Sequence, residues 1–156
     1  MVVTNKFVKI YDLSQDNISP LHYFTLADQM IMDAVLSVAS QGKVYLIVLS
    51  ELGSLFKLEL STEINVGTKQ LNEKVEIPKR DYHVKGSSLY FSPTYKLLFV
   101  SYQDGSTLIG RLSSDATSLT ENSAVYEDEQ DKRRPAGLHR WKQLVPRCIA
   151  VIGASN

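Results

Sequence analysis

The chain has 156 residues, 17 basic and 17 acidic side chains and a formal net charge of zero. That is one domain's worth of sequence, long enough to bury a core, and its charge balance argues against a nucleic-acid groove or an anionic membrane surface. The single cysteine, Cys148, excludes an internal disulfide framework and a zinc site built of thiolates, and fits a reducing compartment.

The N-terminal MVVTNKFVKIYDL carries no basic leader followed by a long apolar region, so no secretory signal is expected. No apolar run is long enough to span a bilayer. Residues 7–13, FVKIYDL, alternate, with Val8 and Ile10 on one face and Lys9 and Tyr11 on the other, which predicts a half-buried strand. Its Tyr11-Asp12 ending is similar to the aromatic–Asp ending of WD-type repeats. A polar loop runs to Pro20, and 21–26 (LHYFTL) fits a short strand or an extended linker. Residues 28–39 are ambiguous. Met30, Ala34 and Leu36 would line a helix, whereas Ile31, Val35 and Val38 would face one side of a strand. The strand is preferred because the two strands that follow need a partner.

Residues 43–50 are apolar on both pleat faces: Val44, Leu46 and Val48 against Tyr45, Ile47 and Leu49. A strand covered on both sides has this pattern. Residues 54–60 alternate instead, with Phe56, Leu58 and Leu60 inward and Lys57 and Glu59 expected in water. A polar loop is predicted over 62–72, and a short outer strand over 73–77 ended by Pro78. Residues 87–91 begin the next unit.

The hairpin over 43–60 then recurs over 95–112. At a shift of 52, Leu46 meets Leu98, Val48 meets Val100, Gly53 meets Gly105 and Leu60 meets Leu112. Two apolar runs around a glycine turn form a hairpin signal, and recurrence at this period suggests propeller blades. Residues 113–134 become Ser/Thr-rich and then charged, with a short strand predicted at 123–126. The fold expected is therefore an all-β, WD40-like β-propeller fragment over 1–127. It comprises strand 7–13, a blade at about 31–77 and another at about 87–127, followed by a loop and tail over 128–156. Isolated blades leave apolar faces bare, so neighbours are expected on both sides.

Chemistry-bearing constellations are sparse. His22, His83 and His139 stand in no nucleophile–base context, and each is expected at a strand end or in a loop. The acidic cluster Glu127, Asp128, Glu129 and Asp131 lacks the glycine of a calcium loop, and no ligands sit at zinc spacing. Gly105 and Gly110 serve β geometry rather than phosphate binding. No catalytic, cofactor or metal residue is expected. Tyr82, Tyr90, Tyr95 and Tyr102 suit strands, whatever surface they offer. For partner binding the candidates are the turns 51–53 and 103–105 and a basic stretch. Within the latter, Lys132, Arg133, Arg134, Arg140 and Lys142 flank the single tryptophan, Trp141.

Three stretches carry a family resemblance: VTNKFVKIYDLSQDNISP (3–20), KGSSLYFSPTYKLLFVSYQDG (85–105) and KRRPAGLHRWKQL (132–144). They resemble a segment of the BIG family of giant UBR-box ubiquitin ligases, whose animal members include Pushover or Calossin. The likeness runs from about residue 2 to 145. Residues 146–156 (PRCIAVIGASN) depart from it, which, with Met1 set inside a strand, suggests a truncated or mis-spliced product. The resemblance implies a link to N-degron recognition and polar auxin transport for the whole family chain. It also implies zinc in a UBR box and in a C-terminal ubiquitin-transfer module, neither of which one cysteine and three histidines supply. The expected role is a cytoplasmic, non-catalytic scaffold binding proteins or the rest of a longer chain, without nucleic acid, cofactor or membrane insertion. The alternative is a stand-alone WD-like adaptor.

Overall fold

The computed structural model describes residues 1–14, 20–39, 41–60, 68–77, 84–119 and 124–126. Every regular element among them is a strand: β1 (Val2–Val3), β2 (Val8–Tyr11), β3 (Pro20–Leu26), β4 (Ile31–Val38), β5 (Val44–Ser50), β6 (Leu55–Leu60), β7 (Thr68–Leu71), β8 (Gly86–Ser92), β9 (Leu97–Tyr102), β10 (Thr107–Arg111) and β11 (Ala124–Tyr126). They make three sheets, ordered β1-β2-β3-β7, β4-β5-β6 and β11-β10-β9-β8. The second and third are antiparallel meanders in which sequence neighbours are spatial neighbours.

The helical alternative for 28–39 fails, because β4 pairs with β5 from Ile31↔Ser50 to Val38↔Val44. Met30 and Leu36, which a helix would have buried beside Ala34, stay exposed.

β5 organises the packing. Leu46 and Val48 join Val8, Phe24, Ile31, Phe56 and Leu71 in one core, between the first and second sheets. Tyr45, Ile47 and Leu49 join Leu89, Leu98, Val100 and Leu108 in the other, between the second and third. The middle sheet is thus covered on both faces, as its two-sided apolar run requires. Each core side chain buried this way stabilises the fold by about 1.5–3 kcal/mol.

The repeat is visible in backbone detail. Gly53 N–H donates to Ser50 O at 3.0 Å, and Gly105 N–H donates to Tyr102 O at 3.1 Å. Both glycines have positive φ, 80° and 87°. A register shift between Ile31 and Asp33 recurs between Gly86 and Ser88, opposite the equivalent residues Ser50/Leu49 and Tyr102/Ser101.

Four features differ from the sequence reading. The strand before the first expected blade is not solitary: β1, β2 and β3 form a sheet with β7. β7 falls in the predicted loop 62–72 and runs parallel to β3, from Tyr23↔Thr68 to Leu26↔Leu71. Its sequence, TKQL, buries only Leu71, so no periodicity betrayed it. Residues 73–77 contribute isolated bridges, Phe56↔Lys74 and Glu76↔Ser118, rather than a continuous strand. Lys57 is buried, not solvated, because the loop after β10 lies over it. Its Nζ donates to Asp115 O at 2.7 Å and stands 3.9 Å from Glu73.

Candidate functional site

The basic stretch Lys132, Arg133, Arg134, Arg140, Trp141 and Lys142 lies outside the described residues, as do Tyr82, His83, the 127–131 acids, His139 and Cys148. Among the described residues no three His, Cys, Asp or Glu side chains are grouped to hold a metal.

His22 is inside β3, not at a strand end. It is 6% exposed, its ring stacks on Phe24 at 5.6 Å, and its Nδ1 has no hydrogen-bond partner among the described residues. Burial pushes its pKa below the ordinary value and favours the neutral imidazole. Stacked on Phe24, the ring packs on the buried face of its strand.

Of the four tyrosines, Tyr102 is buried in the second core, Tyr90 packs on Phe99 at 5.8 Å, and Tyr95 is exposed. A separate aromatic patch covers the outer face of the first sheet. There Phe7 and Tyr23 stack at 5.4 Å and Lys9 Nζ sits 4.5 Å and 5.0 Å from their centroids.

The structure places the turns 51–53 and 103–105 at the same end of the stack and joins them through residues 84–86. Gly86 N–H donates to Glu51 O at 3.2 Å, and Gln103 N–H donates to Lys85 O at 2.9 Å. Glu51 also exchanges contacts with Met30: its N–H donates to Met30 O, and its Oε1 accepts from Met30 N–H at 3.2 Å. The turns are therefore braced against their neighbours, with Leu52 projecting 54% exposed.

The opposite end carries a groove that sequence reading missed, because its walls come from segments distant in the chain. The β4–β5 turn, the β8–β9 turn and the loop after β10 converge there. One hollow of about 130 Å³ is walled by Val38, Tyr45, Phe91, Leu112 and Ala116, with Lys96 at its rim. A second of about 150 Å³ adjoins it across Ala39, Tyr45 and Ser114, and adds Gln41, Lys43 and Asp115.

Charges at this groove are unevenly committed. Asp115 Oδ1 accepts from Ser113 Oγ at 2.8 Å and Thr117 Oγ1 at 2.7 Å, and the Thr117 and Ser113 hydroxyls hold its pKa down to about 2. Lys43 pairs with Glu59 at 3.4 Å in the open. Among the described residues, Lys96 Nζ donates once, to Val38 O at 3.3 Å. What the arrangement offers is an apolar hollow beside an ammonium group.

No family profile matches the chain. Individual relatives do. The chain is 58% identical over 146 residues to the auxin transport protein BIG of rice, Oryza sativa subsp. japonica, covering 93% of this chain. It is 30% identical over 135 residues to a probable E3 ubiquitin-protein ligase of Dictyostelium discoideum, covering 86% of this chain. To the protein purity of essence of Drosophila pseudoobscura pseudoobscura it is 29% identical over 133 residues, covering 72% of this chain. All three are much longer: the chain spans 3% of the rice relative and 2% of each of the others. By the extent and identity of the rice match, this chain belongs to the BIG family.

Proposed function

We propose that the chain is a non-catalytic, WD40-like β-propeller segment of a BIG-type ubiquitin ligase, serving as a scaffold for protein partners or for the rest of a longer chain. The observation that carries this reading is the middle sheet, apolar on both faces and packed between two others. Sheets that bury their faces only against neighbours are the unit from which propellers and other repeat folds are built. The repeated turn and bulge geometry supports successive copies of one unit.

On this reading the chemistry of the family resides elsewhere. Ubiquitin transfer, N-terminus recognition and zinc belong to modules of the longer relatives, and this segment works without a cofactor, in the cytoplasm. No helix among the described residues is long and apolar enough to cross a membrane. The link to auxin transport follows from the rice relative's name and would be exercised by the whole protein.

The test is an immunoblot of plant tissue with an antibody against residues 113–135. A band only at very high mass is expected. A discrete band near 17.5 kDa would favour the stand-alone adaptor instead. Ubiquitin transfer by the purified chain would overturn the non-catalytic assignment.

A further inference from the structure

We propose that the groove between the second and third sheets binds an extended peptide segment carrying a leucine- or phenylalanine-sized side chain next to a carboxylate. This deepens the scaffold reading by naming the chemistry of a partner, and the groove itself is defined by this chain's own residues.

Size sets the first requirement. The hollow walled by Tyr45, Phe91 and Leu112 measures about 130 Å³. An apolar cavity of about 150 Å³ accepts a benzene molecule, so one large apolar side chain fits here. The adjoining hollow has a more polar wall, with Gln41, Lys43 and Asp115, and shares Ala39, Tyr45 and Ser114 with the first. Two connected hollows of different character suit neighbouring side chains of one peptide better than a single compact ligand.

Charge sets the second. Asp115, which lines the second hollow and not the first, has its Oδ1 taken by hydroxyl and amide donors of its own loop, and those bonds hold its pKa down to about 2. Its main-chain oxygen is already held by Lys57. Lys96, by contrast, uses one of its three donors on Val38 O. Lys96 is the one charged residue lining the apolar hollow, so the demand at that rim is for an acceptor, and an anionic one is the strongest partner. Two lysines, one of them already paired with Glu59, are too few to follow a nucleic-acid backbone, which needs a row of cations.

Backbone conformation supplies an independent observation. Lys96 has φ of 56°, in the left-handed region where a side chain is strained and glycine is at ease. The β8–β9 turn would form more readily with glycine there. A strained residue that places a charged group over a cavity is the pattern from which a binding role is inferred.

The experiment titrates the isotope-labelled 156-residue chain with the peptide acetyl-Glu-Leu-Glu-Phe-Glu-amide, following backbone amide shifts. Shifts are expected at Ala39, Lys96 and residues 112–116, with the braced turns 51–53 and 103–105 unmoved. Affinity should fall at least tenfold for the matching peptide with Gln in place of Glu, and for acetyl-Glu-Ala-Glu-Ala-Glu-amide. Lys96→Gly should keep or raise thermal stability by relieving the strained turn, and should weaken binding of the acidic peptide at least tenfold. Equal binding of the Glu and Gln peptides would overturn the proposal. So would no shift at the groove, or unchanged binding by a folded Lys96→Gly chain. A negative titration together with a high-mass immunoblot band would leave the scaffold reading standing. Positive titration with a 17.5 kDa band would do the reverse.

Discussion

Three glycines with similar backbone angles separate conformational need from steric need. Gly42, Gly53 and Gly105 all have positive φ. A Cβ on Gly42 would meet nothing within 4 Å, whereas one on Gly53 would run into the carbonyl oxygen of Val84 and touch the Tyr102 ring. Gly42→Ala should therefore lower stability by about 1 kcal/mol, the left-handed penalty alone. Gly53→Ala should lose at least about 2 kcal/mol, because backbone must also move. Denaturant midpoints of the two variants check the ranking. The glycine of this turn was legible in the sequence through its match to Gly105. The close approach of Val84 was not, since nothing local to residue 53 encodes where residue 84 lies. His22 shows a similar limit: its place in a core depended on Phe24 and on pairing with Ile10. With its folded-state pKa below the ordinary 6.5, the unfolded chain takes up a proton near that pH while the folded chain does not. Stability should then fall as pH drops through about 6.5 and level off below the folded pKa. Thermal melts at pH 7.5 and 5.5 should show this loss, and His22→Phe should remove that share of it.

At the scale of elements, the inner edge of the third sheet is held by a side chain from the second. Asp33 follows the bulge in β4, and its Oδ2 accepts from Leu89 N–H at 2.7 Å while Oδ1 accepts from Ala34 N–H at 2.9 Å. One carboxylate thus satisfies donors on two sheets, and the bulge aims it there. Asp33→Ala should destabilise the chain by about 1–3 kcal/mol, the range for hydrogen bonds to a charged group and for the donor left without one. Hydrogen exchange at the Leu89 amide should quicken more than at amides of the first sheet. The sequence made β5, β9 and their hairpins legible, because apolar runs with glycine turns have few other solutions. It hid β7, whose polar residues become a strand only because β3 offers an open edge. It misread β6 at Lys57, where strict alternation implied water and the tertiary fold supplied a carbonyl.

Across the whole molecule, two cores share one sheet, so a disturbance on either side of β5 is felt through both pleat faces of the same strand. That two-sidedness was written in the 44–49 run, and it led to the expectation of flanking sheets. The make-up of the first sheet was not, because Val2–Val3 and Thr68–Leu71 are short and the latter buries only Leu71. The parallel pairing of β7 with β3 has a consequence for how the chain is made. On a ribosome, the first sheet emerges with its β3 edge open and waits for residues 68–71, which follow the entire β4–β6 meander. Its Leu71 contact therefore arrives only after the second sheet's strands have been synthesised. The order of assembly runs backward along the chain at that point, and the N-terminal sheet is completed by its successor.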